Sequence, residues 1–286
     1  MCLFPIHLLQ ELSGNVDHFL ALKKLVVYNN SNVESIVCLN EINEQKMNLA
    51  LKDIDLDELP MMTCLFVGPK NSISLQNLTQ LKIMGCEKLE IVFSTSIIRC
   101  LPQLLYIRVE ECKELKHIIE DDLENKKSSN FMSTKTCFQN LKTLVVAKCN
   151  KLKYVFPISV YKELPELNYL MIREADELEE IFVSEGDDHK VEIPKLRFVV
   201  FENLPSLSHA QGIQFEAVKY RFIQNCQKLS LASAITALLE SDLYGLDINL
   251  YGILSNIFKN YYMLTVNYYI PCINIVKGYK QLNLLK

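Results

Sequence analysis

The sequence predicts an α/β solenoid, a curved stack of about eight coils in which short parallel strands alternate with irregular or helical returning segments. The stretch "LTQLKIMGCEKLEIVF", residues 78 to 93, recurs as "LKTLVVAKCNKLKYVF", residues 141 to 156. A template derived from both, L-x-x-L-x-L-x-x-C-x-x-L, fits the chain repeatedly at intervals of 22 to 37 residues. Repeats of this length bury their hydrophobic side chains by stacking on their neighbours.

Each copy of the template begins at an apolar residue, which we number position 1. The eight copies begin at Leu22, Leu51, Leu78, Leu104, Leu141, Leu167, Leu196 and Val218. Copy eight has Arg221 at position 4, where an inward Leu is expected, and its register is the least certain.

One copy shows why the pattern predicts a coil. In "LKTLVVAKC", Leu144 and Val146 alternate with Val145 and Ala147. Because side chains of a strand point alternately to its two faces, the first pair should point inward and the second outward. The apolar residues that follow, Leu152, Val155 and Phe156, have helix-like spacing and should close the core from the other side.

The repeats divide the chain into three parts. Residues 1–20 form an N-terminal extension or cap, residues 21–230 form the repeat domain, and residues 231–286 form a C-terminal cap that begins with a helix and ends in a tail. Two polar stretches, residues 120 to 136 and 184 to 190, interrupt the repeats and are predicted to be surface loops.

Composition excludes several classes of partner. The 286 residues are 49% apolar and carry a formal net charge of -4, so a large core can form and no basic surface for nucleic acid is evident. The sequence shows no secretory signal, and its apolar runs are broken before they reach about 18 residues, the length that suggests a membrane span. We therefore expect a cytoplasmic protein that binds neither nucleic acid nor membrane.

The residues capable of chemistry do not form a recognisable catalytic or metal site. Cys112 and His117 are the nearest nucleophile and base in sequence, but the repeat should turn them to different sides of the coil. Asp53, Asp55 and Asp57 alternate along one strand, which favours a solvated acidic surface over a cation site. We expect no enzyme activity, no cofactor, no metal and no small-molecule substrate.

Four cysteines share position 9 of the template, and this regularity favours small buried hydrophobic residues over disulfides or metal ligands. They are Cys86, Cys112, Cys149 and Cys226.

The copies resemble the leucine-rich repeats of plant intracellular coiled-coil nucleotide-binding disease resistance proteins. The likeness is carried by "LKIMGCEKLEIVF", "LYIRVEECKELKHII", "LKTLVVAKCNKLKYVF" and "LNYLMIREADELEEIF", and by the lead-ins "CLPQL", "ELPEL" and "NLPSL". Such receptors also carry a nucleotide-binding domain with a G-x-x-x-x-G-K-[ST] loop, but "FVGPKNS" around Gly68 lacks the second glycine and the GK-[ST] ending. The resemblance therefore implies the sensing region alone, without nucleotide switching.

The outward positions of the strands, positions 3, 5 and 7, should together line a concave face. In the first half this face is mostly polar, and in the second half it is apolar and aromatic, as in protein-binding hot spots. Arg108 and Arg173 are predicted to position the partner. The full predicted protein-binding strip consists of Tyr106, Arg108, Tyr169, Met171, Arg173, Phe198, Val200 and Tyr220.

The sequence thus favours a protein-recognition module that acts in plant defence by reversible contact. Its partner would be a pathogen effector, a guarded host protein or a full-length immune receptor. Two alternatives stay open: a truncated receptor fragment that does not signal, and a substrate-recruiting repeat subunit of a ubiquitin ligase. A third possibility concerns the strip alone, which the C-terminal segment could cover, or which strand propensity could have produced without a binding role.

Overall fold

A computed structural model describes most of the repeat region. The described residues are 1–5, 20–39, 47–69, 72–94, 97, 101–120, 138–156, 164–183, 193–210, 213, 217–229 and 234–235. Residues 121 to 136 of the loop predicted at 120 to 136, the whole loop predicted at 184 to 190, and nearly all of the predicted C-terminal cap lie outside these ranges. The chain divides into two compact units, Met1–Thr236 and Ala237–Lys286, and all of the described residues belong to the first.

The described residues form eighteen short strands, which run in chain order as follows: β1 Cys2–Pro5, β2 Lys24–Tyr28, β3 Ser35–Cys38, β4 Met47–Asn48, β5 Asp53–Asp57, β6 Phe66–Val67, β7 Ile73–Ser74, β8 Gln80–Met84, β9 Ile91–Ser94, β10 Tyr106–Glu110, β11 His117–Glu120, β12 Thr143–Ala147, β13 Tyr154–Phe156, β14 Tyr169–Arg173, β15 Glu180–Phe182, β16 Phe198–Glu202, β17 Tyr220–Gln224 and β18 Ala234–Ile235.

One nine-stranded sheet, the large sheet, contains a five-residue strand from each predicted copy. Its order is β18-β17-β16-β14-β12-β10-β8-β5-β2. All strands from β2 to β17 run parallel and pair without a register shift, so that position 3 of one copy faces position 3 of the next. We call each copy, with its strand and its return, a coil. The predicted parallel-strand solenoid is confirmed.

The returning segments differ from the expectation of irregular or helical structure. Strands β9, β11, β13 and β15 form a second parallel sheet, and β1, β3 and β6 form a third. Val155 and Phe156, whose spacing suggested a helix, lie in β13 and are buried. A short return of two or three buried residues satisfies its backbone groups by pairing with the equivalent return of the next coil, which an isolated helical turn could not do.

The core lies between the large sheet and the returning strands. Leu144, Val146 and Leu152 are fully buried there, as the template predicted. The four position-9 cysteines are also buried and free of disulfides, which confirms that they act as small core residues. A disulfide that the sequence reasoning did not predict joins Cys2 in β1 to Cys38 in β3.

Every coil makes the same turn after its strand. The residue at position 8 has a φ angle between 50° and 61° in all eight coils. Its N–H continues the ladder, as when Glu111 donates to the carbonyl of Ala147 at 3.0 Å. This left-handed conformation costs an ordinary L-residue about 1 kcal/mol or more, and the ladder bond offsets part of that cost. The eight residues are Asn29, Glu58, Gly85, Glu111, Lys148, Glu174, Asn203 and Asn225.

The shared turn also settles the register of copy eight. Asn225 has the same φ of 54° as Asn203 in the preceding coil. Arg221 lies opposite Val199 and so occupies the inward position, half-buried. The last described strand, β18, pairs antiparallel with β17, so Ala234 and Ile235 are extended where the sequence suggested a helix.

Candidate functional site

The candidate site is the outer face of the large sheet, the face turned away from the coil core. The register places the eight predicted binding residues on this face in adjoining rows. Tyr169, Phe198 and Tyr220 are neighbours at position 3, and Met171 and Val200 are neighbours at position 5. The sequence therefore predicted correctly which side chains lie together, while their role in binding stays a prediction.

The exposure expected for this strip is wrong for most of its members. Met171 is 0% exposed and Phe198 is 2% exposed, and Tyr106, Val200 and Tyr220 are buried as well. Part of the reason is lateral packing. Adjacent parallel strands lie about 4.8 Å apart, so equivalent side chains on neighbouring coils contact each other directly.

The aromatic side chains show this packing clearly. The ring of Phe198 stacks on Tyr169 at a centroid distance of 4.7 Å and on Tyr220 at 4.4 Å. The ammonium group of Lys219 lies 4.6 Å from the Tyr220 ring centroid, close enough for a cation–π contact. The guanidinium of Arg197 lies 5.9 Å from the Phe198 ring. These aromatic residues thus form a second, smaller packed cluster on the outer face.

Three members of the predicted strip remain partly accessible. Tyr169 is half-buried, and burial raises the pKa of its hydroxyl. The side chain of Arg108 is 19% exposed and that of Arg173 is 26% exposed. These three residues are the ones in the strip that a partner could reach.

Both arginines have carboxylate partners on the same face, which the sequence reasoning missed. Arg108 pairs with Glu110 at 2.9 Å, and Arg173 pairs with the buried Glu202 of the next coil. Burial alone would lower the pKa of Arg108, but its hydrogen bond to Glu110 and the carboxylate charge more than offset that effect and raise it. The Arg108–Glu110 pair could have been predicted from the alternation in "YIRVE", which puts both residues on one face.

The first half of the outer face is open. In coil 1, Tyr28 is 71% exposed and Val26 is 48% exposed. In coil 2, Asp53, Asp55 and Asp57 are half-exposed on one strand. The outer residues of coil 3, Gln80, Lys82 and Met84, are also half-exposed, and they were not part of the predicted strip.

The cysteine and histidine residues considered as a nucleophile and a base lie away from the outer face of the large sheet. Cys112 lies in the coil core, where a hydrogen bond to Cys149 and burial hold the pKa of its thiol far above the ordinary value. Burial also raises the pKa of Cys86 to about 12. Both thiols are therefore neutral at pH 7. His117 begins the returning strand β11 and contacts the ring of Tyr154.

The described residues lack two further kinds of functional feature. They contain no group of three His, Cys, Asp or Glu side chains arranged to hold a metal ion. They also contain no helix long and apolar enough to cross a membrane.

Ion pairs between neighbouring coils, like the stacked aromatic rings, join residues at equivalent template positions. Lys148 pairs with Glu111 at 2.7 Å, and both occupy position 8. Lys151 pairs with Glu114 at 2.6 Å, and both occupy position 11. Charges of opposite sign at one template position thus meet across the junction between coils 4 and 5.

Comparison with known proteins agrees with this architecture. A sequence model of the leucine-rich repeats of RPS2-like plant disease resistance proteins matches residues 2–113 and 113–248. No curated protein matched, and no solved structure matched. The two matched segments take in every strand of the large sheet. The chain therefore belongs to the leucine-rich-repeat family of RPS2-like plant disease resistance proteins.

Proposed function

We propose that the chain is a protein-recognition module of a plant immune receptor and that it binds its partner on the outer face of the large sheet, the concave face of the solenoid. The observation that carries this proposal is the contrast between a fixed backbone and a varied, open surface. Coils 1 to 3 repeat one strand geometry, yet they present aromatic, acidic, basic and thioether side chains in turn. Such a surface can change its specificity without altering the core.

The accessible side chains favour a protein as partner. Tyr28 offers a large amphipathic contact at low entropic cost, a property that enriches tyrosine in protein interfaces. Next to it in register, Asp57 and Asp55 form an acidic strip. A partner with a basic surface and an apolar contact would complement these residues.

The buried part of the predicted strip then has a supporting role. Phe198, Met171 and Val200 fix the strands from the outer side, while Tyr169, Arg108 and the other half-exposed residues extend the contact surface toward the second half. The partner is a pathogen effector, a guarded host protein or a full-length receptor, and it is bound reversibly in the cytoplasm without a cofactor.

Quantitative affinity capture from plant extract tests this proposal. The intact chain is compared with a Tyr28→Asp, Asp55→Lys double variant and with a control, Lys88→Asp, which changes an exposed residue off the outer face. Circular dichroism must first show that all three proteins are folded. We expect a protein that is retained by the intact chain and the control but lost by the double variant. Equal recovery of every protein by all three would contradict outer-face recognition and favour the fragment that does not signal.

A further inference from the structure

The Cys2–Cys38 disulfide lies apart from the repeat core. Cys2 belongs to β1 and Cys38 to β3, two neighbouring parallel strands of the returning side, and both residues are half-exposed. The four position-9 cysteines, in contrast, are buried, and none of them forms a disulfide. The later coils thus close the same architecture with free cysteines, so the repeat fold itself does not require this bond.

A disulfide in a cytoplasmic protein is unusual. The cytosol keeps thiols reduced, and the disulfides that proteins form there are mostly transient, catalytic or redox-sensing. Exchange with a small thiol requires an accessible sulfur, and both cysteines of this bond are half-exposed. The biological role of the bond rests on the cytoplasmic location proposed above, whereas its chemistry depends on local contacts alone.

The two sulfur atoms of the bond have different polar neighbours. The hydroxyl of Ser35 lies 3.0 Å from Cys38 Sγ, and it is the donor because a disulfide sulfur carries no hydrogen. Ser35 is buried, which shields this hydrogen bond from water. Cys2 Sγ lies 3.8 Å from a carbonyl oxygen, that of Ile36. A hydroxyl donor stabilises a thiolate and a carbonyl oxygen does not, so Cys38 is the better leaving group.

We propose that the Cys2–Cys38 disulfide is an exchange site for small thiols of the glutathione class and that the incoming thiol attacks Cys2. In the first step the glutathione thiolate forms a bond to Cys2 Sγ. The Cys2–Cys38 bond breaks, and its electron pair leaves with Cys38 as a thiolate that accepts the hydrogen bond of Ser35.

A second glutathione thiolate completes the exchange. It attacks the glutathione sulfur of the mixed disulfide and releases Cys2 as a thiolate. The protein disulfide gains two electrons, and two glutathione molecules are oxidised to one glutathione disulfide. The two protons that the glutathione thiols lose are taken up by the two cysteines.

Opening the bond loosens β1. All four residues of this strand are half-buried, and Leu3 and Phe4 pack only partly against the core. The disulfide joins residues 36 positions apart, and such a cross-link limits the entropy that β1 can gain when it detaches from β3. The thiol state of the surroundings therefore controls how firmly the first strand is attached.

Two other cysteines provide internal references. Cys64 is half-buried, and burial raises the pKa of its thiol. Cys86 is fully buried, with its pKa raised to about 12. Both thiols are neutral at pH 7 and therefore react slowly with disulfides. Labelling of Cys86 in the same sample reports loss of the fold.

A redox titration of the full chain tests the exchange. The protein is equilibrated at increasing ratios of reduced to oxidised glutathione and treated with a maleimide without denaturant, and peptide mass spectrometry measures each cysteine. We expect Cys2 and Cys38 to become labelled together within the series while Cys86 stays unlabelled, and a mixed disulfide on Cys2 to appear before the midpoint. A bond that opens only in urea, a bond that never forms, or glutathione attached to Cys38 instead would overturn the proposal.

Hydrogen exchange of the same samples tests the loosening of β1. The amides of Cys2–Pro5 should exchange about tenfold faster once the bond is open, while those of β8 keep their rates. Unchanged exchange in β1 would contradict the control of this strand by the disulfide.

Paired substitutions test the contribution of Ser35. Ser35→Ala removes the hydroxyl and should slow opening by glutathione by about threefold or more, whereas Ser35→Thr retains it and should change the rate by about twofold or less. Equal rates in the two variants would refute the selection of Cys38 as leaving group by this hydroxyl.

Two single-cysteine variants keep the test decisive if Ser35→Ala does not fold. In Cys2→Ser the remaining Cys38 keeps the Ser35 hydroxyl, and in Cys38→Ser the remaining Cys2 has only the Ile36 carbonyl. Iodoacetamide should alkylate Cys38 about threefold or more faster than Cys2 at pH 7, and equal or reversed rates would overturn the assignment of attack to Cys2. No partner protein enters these measurements, so their failure is distinct from a failure of outer-face recognition.

Discussion

Val26 in coil 1 and Val200 in coil 7 occupy the same template position on the same face of one sheet, yet their exposed fractions are 48% and 2%. Their backbones are equivalent, because a single register runs from β2 to β17. What differs is their neighbours. Val26 lies beside Asp55, while Val200 lies between Met171 and Phe222, both of which are buried.

The contrast separates two properties of a repeat protein. The inward residues of positions 1, 4, 6, 9 and 12 determine the coil, and they do so equally in both halves. The outer residues decide whether the sheet has one buried face or two. In coils 2 and 3 the strands alternate between buried and half-exposed residues, whereas β12 and β16 are buried at all five residues. The outer face is therefore accessible in coils 1 to 3, and much of it is buried in the second half.

The largest expected difference between the halves concerns aromatic outer residues. Phe198→Ala should lower the free energy of unfolding by about 3 to 5 kcal/mol, since it opens a cavity between Tyr169 and Tyr220. Tyr28→Ala, at a highly exposed site of coil 1, should change it by about 0.5 kcal/mol or less. Urea unfolding followed by circular dichroism measures both. Similar losses would show that the two halves are equally packed.

A smaller effect is expected for the ion pair of the second half. Arg173→Ala leaves the buried carboxylate of Glu202 without its partner and should cost about 2 kcal/mol. Replacing both residues by Met should recover most of this loss, because no buried charge then remains. The exposed Lys148–Glu111 pair is the control, and Lys148→Ala should have little effect on stability. The same denaturant titration reports all three variants, and equal losses at both pairs would refute the distinction.

The smallest effect concerns the turn that both halves share. Gly85 has a φ of 61°, and a Cβ there would lie 3.4 Å from the backbone of Glu58, so Gly85→Ala should cost about 1 kcal/mol. Glu174→Ala is the matched control in the second half, because its left-handed residue already carries a Cβ. Thermal unfolding should separate the two variants. A loss at Glu174 as large as at Gly85 would mean that the turns are not equivalent.

The sequence predicted the strand positions because the inward pattern repeats. Coil 8 pairs in the same register although Arg221 breaks the apolar pattern. The other core residues of this coil and the turn at Asn225 fix the register. The returning strands were not predictable from spacing. Three residues such as Tyr154–Phe156 fit a helical turn or a strand equally well, and only pairing with the next return decides between them.

The candidate site was predictable in position but not in exposure. Alternation assigned Phe198 and Met171 to the outer face, but it could not show how far neighbouring side chains would bury them. The Arg173–Glu202 pair depends on alignment between coils 29 residues apart, which is visible only once the register is known. The Cys2–Cys38 disulfide was missed because both cysteines lie outside the repeated position.

The difference between the two halves can be measured most directly by thiol labelling at one template position. Val26→Cys and Val200→Cys are conservative changes at equivalent sites, and peptide mass spectrometry after brief maleimide treatment of the folded protein reports each site separately from the natural cysteines. We expect rapid labelling at position 26 and protection at position 200 until the protein is unfolded. Equal labelling rates at both sites in the folded protein would contradict it.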